Sequence, residues 1–316
     1  MAGLISPVVS ALIDNVEQVI RGKHEKIRLA LCCLLTEGHL LLDDVPGTGK
    51  TSMAKAIANS ISGSWKRVQF TPDLLPTDIT GVMIFDQTSA SFSFREGPVF
   101  TNVLIGDEIN RGSPKTQSAL LEVMEERQVT ADGIGRPVPR PFFVIATQNP
   151  RDSQGTFPLP DVQLDRFSMR LSLGYADHDT EVSLLESFHP SSEDNVLEPV
   201  TSPHEVQKLV AAIDDIDVVR GISEYIVSIA NGTRRHPDLR LGISTRGTLS
   251  MLRVCRAFAA ANDRDYVTPD DVKAVAAPVF THRMALTPEA ELRGVRVEEV
   301  LADIVDEVPV PRSREG

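Results

Sequence analysis

Two short runs of this sequence carry residue types that could handle a polyphosphate. Asp44-Val45-Pro46-Gly47-Thr48-Gly49-Lys50-Thr51 follows an apolar run, His39–Asp43, and precedes a helical pattern. Glycines at this spacing let backbone N–H groups turn toward phosphate oxygens, and the following helix adds the positive end of its dipole. Pro46, Gly47, Thr48, Gly49, Lys50, Thr51 and Ser52 therefore form the expected phosphate loop. Lys50 would reach the β- and γ-phosphates, and the Thr51 hydroxyl would ligate Mg²⁺. Loops of this kind usually begin with glycine, where this chain has Asp44. The second run, Val103-Leu104-Ile105-Gly106-Asp107-Glu108, is apolar and ends in two acids. Asp107 is placed to hold Mg²⁺, and Glu108 to orient or deprotonate a water attacking the γ-phosphate. The adjacent glutamate points to hydrolysis rather than nucleotide storage. There is no Asn-Lys-x-Asp run to read guanine, so ATP is the expected nucleotide.

These residues need a scaffold that brings strand ends together. His39–Asp43, Arg67–Phe70, Val103–Asp107 and Phe142–Ala146 read as buried strands, with a weaker fifth at Met169–Leu173. The helical stretches Ser52–Ile61 and Thr116–Met124 lie between them, which favours a parallel sheet with helices on both faces. Beyond residue 176 strand-like runs disappear. Ser202-Pro203-His204-Glu205 and Thr268-Pro269-Asp270-Asp271 mark helix starts, and Leu249, Leu252, Cys255 and Phe258 are expected to share one helical face. The expected organisation is an α/β core over 1–175, a smaller all-helical domain over 176–307 and a frayed tail over 308–316. His189–Pro203, rich in Ser, Pro, Glu and Asp, reads as a loop.

Composition narrows the function classes. Lys and Arg total 32 against 44 Asp and Glu, a net charge of −12, which argues against a dedicated nucleic-acid grip. No apolar run approaches the ~20 residues that span a bilayer. The first residues lack the basic, then purely apolar pattern of a signal peptide, so a cytoplasmic location is expected. Cys32, Cys33 and Cys255 have no metal or redox spacing and read as buried small hydrophobes.

Further motifs resemble those of the MoxR branch of the AAA+ ATPases: Gln69 to Gly81 (QFTPDLLPTDITG), Asp107 to Arg111 (DEINR), Leu121 to Thr130 (LEVMEERQVT) and Ala146 to Pro150 (ATQNP). Phe157 to Pro160, Gln163 to Phe167 and Asp265 to Val272 continue the match, which runs from about Val19 to Arg283. Relatives of this kind commonly carry an acid at the position of Asp44.

The resemblance implies a P-loop AAA+ αβα core followed by a smaller all-helical lid, assembled into a hexameric ring. It implies that Asn149 is the polar sensor positioning the attacking water. Arg166 would be the arginine finger reaching a neighbour's γ-phosphate, and Arg246, in Ser244-Thr245-Arg246-Gly247, the second sensor on the lid. Arg111 is a weaker interface candidate. Val82–Phe85 with Ser91–Phe94, and Gln128–Thr130 with Arg136–Val138, look like inserted hairpins facing the pore or a rim. Neither has the aromatic-hydrophobic-glycine loop of peptide-threading motors. The implied activity is Mg-dependent ATP hydrolysis driving chaperone-like remodelling of a protein client, one possibility being a separate chain with a von Willebrand factor A-type domain. A chelatase-type cofactor-insertion ATPase is the near alternative, with a DNA translocase motor and a non-hydrolysing scaffold as more distant ones.

Overall fold

The structure is a computed structural model that describes residues 2–45, 47–88, 90–149, 156–186 and 197–311. Pro46, Pro150, the turn residue Ser89, most of the 189–203 loop and the end of the tail lie outside the described residues. Two helices open the chain, α1 (Ala2–Glu17) and α2 (His24–Leu35). The core continues with β1 (Leu40–Asp43), α3 (Lys50–Ser60), β2 (Trp65–Gln69) and α4 (Pro76–Thr80). A hairpin, β3 (Gly81–Asp86) and β4 (Ser91–Glu96), precedes β5 (Val103–Asp107) and α5 (Pro114–Glu126). A second hairpin, β6 (Gln128–Ala131) and β7 (Ile134–Pro137), leads to β8 (Phe143–Gln148), α6 (Asp161–Leu164) and β9 (Met169–Leu171).

Five of these strands form one sheet in the order β2-β5-β8-β1-β9, with every pair parallel. Alternation along each strand sends side chains to two separate apolar clusters. Leu40, Leu42, Val103, Ile105, Phe143 and Ile145 pack on the side of α1, α2 and α3. Leu41, Leu104, Val144 and Ala146 pack on the other side with Leu120, Leu121 and Met124 of α5. The expected strands are all present, Val103–Asp107 with its expected bounds and the others with ends shifted by at most two residues.

The remaining chain is helical: α7 (His178–Glu186), α8 (Pro203–Ile213), α9 (Arg220–Arg235), α10 (Thr245–Ala261), α11 (Pro269–Phe280), α12 (Pro288–Leu292) and α13 (Val297–Glu307). Ser202 and Thr268 cap α8 and α11 through their hydroxyls, and Asp271 completes a capping box at the second. This half is not wholly helical as expected. β10 (Leu239–Leu241) and β11 (Ala285–Leu286) pair as a short antiparallel ribbon, too brief to leave a period in the sequence. The expected apolar face of α10 also needs correction. Met251, Val254 and Cys255 are buried, Leu252 and Phe258 pack partly, and Leu249 points outward at 57% exposure.

The apolar cluster on the α1 side of the sheet continues without a break into α8 to α13. Ile5, Val9, Leu12 and Val16 recur at helical spacing and bury α1 against α2, α3 and α10. The first helix thus fastens the sheet to the helical half. All three cysteines are buried and free.

Candidate active site

The phosphate loop leaves β1 at its C-terminal end, β5 ends at Asp107 in the next strand but one, and β8, between them, ends near Asn149. Parallel strands collect their C-terminal ends along one edge, the usual ligand crevice of such sheets. A cavity of about 400 Å³ opens there, lined by Gly47, Gly49, Lys50, Thr51, Ser52, Asp107, Glu108 and Asn149 among others. Both loop glycines have φ +85, a left-handed backbone that residues with a Cβ rarely adopt. Gly49 is also the N-cap of α3, so the first amides of that helix face the cavity edge.

Lys50 Nζ donates to the carbonyls of Asp44 at 2.6 Å and Val45 at 2.9 Å. Burial lowers the Lys50 pKa from its usual value, and the carboxylates of Asp44, Asp107, Asp43 and Glu108 oppose that shift. Asp44, where a glycine is usual, is 7% exposed. Its Oδ2 accepts from the amides of Leu173 at 2.5 Å and Gly174 at 3.0 Å, and its Oδ1 from the Ser172 hydroxyl at 3.2 Å. The acid ties the start of the loop to the chain leaving β9.

The two acids of β5 are held differently. Arg67 Nε, on β2, meets Asp107 Oδ2 at 2.5 Å, and the Thr147 hydroxyl donates to Asp107 Oδ1 at 3.4 Å. Glu108 has φ +54, an uncommon conformation for a residue with a side chain, and caps a single 3-10 turn over Ile109–Arg111. Its amide donates to Thr147 Oγ at 3.0 Å, while its carboxylate accepts from Gln69 at 2.9 Å and Arg111 at 3.2 Å. Arg111 therefore pairs within its own protomer in this structure. The hard oxygens of Thr51 and Asp107 at the cavity wall suit Mg²⁺, and the left-handed loop beside Lys50 suits a polyphosphate.

Two expected site residues stand elsewhere. Neither Arg166 nor Arg246 lines this cavity. Both point to Glu125 on the last turn of α5, Arg246 Nη2 at 2.5 Å from Oε1 and Arg166 Nη2 at 3.1 Å from Oε2. Pro46 lies outside the described residues. Arg67, Gln69, Thr147, Glu125 and the structural task of Asp44 went unread in the sequence. The signal for the first two was available: polar residues on alternate positions of a strand, aimed at the strand that carries the acids.

A parallel five-stranded sheet, a phosphate loop, a paired acid on the next strand but one and a helical lid define a P-loop ATPase of the AAA+ class. The profile of the ATPase family associated with various cellular activities (AAA) matches residues 39–169, and the AAA lid domain matches 231–304. The chain is 44% identical to YeaC of Bacillus subtilis over 98% of its length and 97% of that protein. It is 35% identical to the chaperone MoxR1 of Mycobacterium tuberculosis, over 95% and 81%. The crystal structure of a Cytophaga hutchinsonii protein superposes with a TM-score of 0.90 at 35% identity, covering 98% of this chain and 97% of that one. The chain belongs to the MoxR family of AAA+ ATPases.

Proposed function

We propose that this protein hydrolyses Mg·ATP at sites completed between copies in a ring, hexameric by family resemblance, and uses the cycle to remodel a protein client. Within one protomer, Lys50 and the amides of residues 47–52 would bind the phosphates. Thr51 and Asp107 would hold Mg²⁺, which when bound neutralises phosphate charge. Glu108, steered by Gln69 and the Thr147 hydroxyl, would orient the attacking water and take its proton, with Asn149 as second contact. The observation that carries the composite site is the position of Arg166 and Arg246, which sit together on Glu125 and not at their own protomer's cavity. The client is proposed to be a protein, one candidate class being von Willebrand factor A-type domains, with no nucleic acid and a cytoplasmic setting. The division at residue 175 into core and lid, and the tail from 308, belong to the same proposal. No helix among the described residues is long and apolar enough to cross a membrane.

Mixing two inactive variants tests the composite site. Lys50→Ala retains the arginines but has a defective cavity, and Arg166→Ala has the reverse. Mixed rings, confirmed by co-purification of differently tagged subunits, should recover a fraction of wild-type hydrolysis. Mixed rings without any recovery would overturn the trans assignment.

A further inference from the structure

Away from the nucleotide cavity, three separate elements meet at one carboxylate. Glu125 lies in the last turn of α5, Arg166 precedes β9, and Arg246 lies in the first turn of α10. Glu125 and Arg246 are exposed, with side-chain exposures of 36% and 47%, and Arg166 is half-buried at 29%. Arg166 Nε is buried and makes no hydrogen bond. The two arginines are also joined through their neighbours. The Ser244 hydroxyl, N-cap of α10, donates to Asp165 Oδ2 at 3.0 Å, and Arg283 Nε meets Asp165 Oδ1 at 2.7 Å.

We propose that Glu125 is a competing partner for the composite site, holding Arg166 and Arg246 on one carboxylate in the isolated protomer and yielding both to the terminal phosphate of a neighbouring copy. The proposal rests on the trans reading of these arginines. The charge count supports the exchange. Within this trio, one carboxylate against two guanidiniums leaves one positive charge unmatched. A terminal phosphate carries more negative charge and more acceptor oxygens than a carboxylate, so it is the better partner for a pair of guanidiniums. Glu122 and Glu126 line the same shallow cavity as Arg166 and Glu125, and a guanidinium released from Glu125 has these acids within its surroundings. Sharing one carboxylate sets both arginines side by side. Because all three groups are partly hydrated, the competition is modest, and removing the Glu125 charge is expected to shift assembly by roughly threefold to tenfold per interface.

Glu125→Gln tests this, since the amide keeps the shape and one acceptor but not the charge. Sedimentation with a slowly hydrolysed ATP analogue should show rings forming at a protein concentration lower by roughly threefold to tenfold. Analogue affinity of the dilute protomer should not move, because Glu125 does not line its cavity. Glu125→Asp, which keeps the charge, should stay near the wild-type midpoint. In an Arg166→Ala/Arg246→Ala background, Glu125→Gln should have no effect. An unchanged or raised midpoint in Glu125→Gln, or a fall that persists without the arginines, overturns the proposal. The mixing experiment separates the two ideas. Recovered activity with an unmoved Glu125→Gln midpoint sinks only the role of Glu125, whereas absent recovery in mixed rings sinks the trans reading itself.

Discussion

Asp107 and Glu108 are adjacent in sequence but answer to different neighbours, and that difference makes them separable by mutation. Lys50→Ala should weaken nucleotide binding, while Glu108→Gln should bind normally and lose most turnover; nucleotide titration and single-turnover hydrolysis on both variants check this. Full turnover in Glu108→Gln would remove it from the role of base. Arg67 and a bound Mg²⁺ would compete for the same Asp107 carboxylate. Arg67→Ala should therefore lower the Mg²⁺ concentration needed for half-maximal nucleotide binding by roughly threefold to tenfold, the modest range expected for a pair whose arginine is half-exposed although Asp107 is buried. A labelled nucleotide titrated with Mg²⁺ reads this directly, and a rise would place Arg67 on the nucleotide instead. His39 gives a pH prediction. It is buried, accepts from the Val144 amide at 3.1 Å and faces the Met124 carbonyl at 3.1 Å. Burial and the nearby Arg127 push its pKa down to about 3. The unfolded chain takes up that proton below about pH 6.5, where the folded one does not, so stability is complete above that value and falls as pH drops toward 3. Denaturant melts between pH 7 and 4 should show a shallower slope in His39→Gln than in wild type. His282, also buried and shifted downward, keeps the slope from vanishing.

At the scale of elements, the sheet was legible because its strands are continuous apolar runs bounded by helical patterns, and the phosphate loop because chemistry restricts its residue types. The edges of strands were less so: β8 extends to Gln148 because pairing with β1 continues past the apolar residues. α1 was not anticipated, although Ile5, Val9, Leu12 and Val16 carry its period; Pro7 inside the helix interrupts that pattern. The contacts that fix the arginine segment left no local signal, since Asp165 and Arg283 are far apart in sequence. Arg283 is 3% exposed and also donates to the carbonyls of Phe167 at 2.7 Å and Ser168 at 3.2 Å. Replacing it by methionine removes the Asp165 ion pair and the hydrogen bonds to the carbonyls of Asp165, Phe167, Ser168 and Val279 at once. The cost should be on the order of 3 kcal/mol, read as a lowered denaturation midpoint at unchanged slope. A loss below about 0.5 kcal/mol, typical of surface positions, would mean that water replaces those bonds freely.

The whole molecule poses the question of assembly. The proposed trans contact needs the γ-phosphate, so ATP analogues and not ADP should favour the ring. Each such charge-assisted contact is worth roughly 1.5–3 kcal/mol and repeats around the ring. Ultracentrifugation in either nucleotide decides, and a monomer at every concentration in the analogue would count against a ring enzyme. The exposed aromatic pair on the first hairpin, Phe85 and Phe92 with ring centroids 5.1 Å apart, makes no part of either apolar cluster.

For anyone redesigning this protein, Asp44 is a trap. Consensus engineering would restore the glycine that phosphate loops usually carry at this point. Here that swap would delete a buried acceptor serving two amides and a hydroxyl at the exit of β9. The same loop position in this chain thus belongs to the scaffold, and a library that varies it should vary residues 172–174 with it.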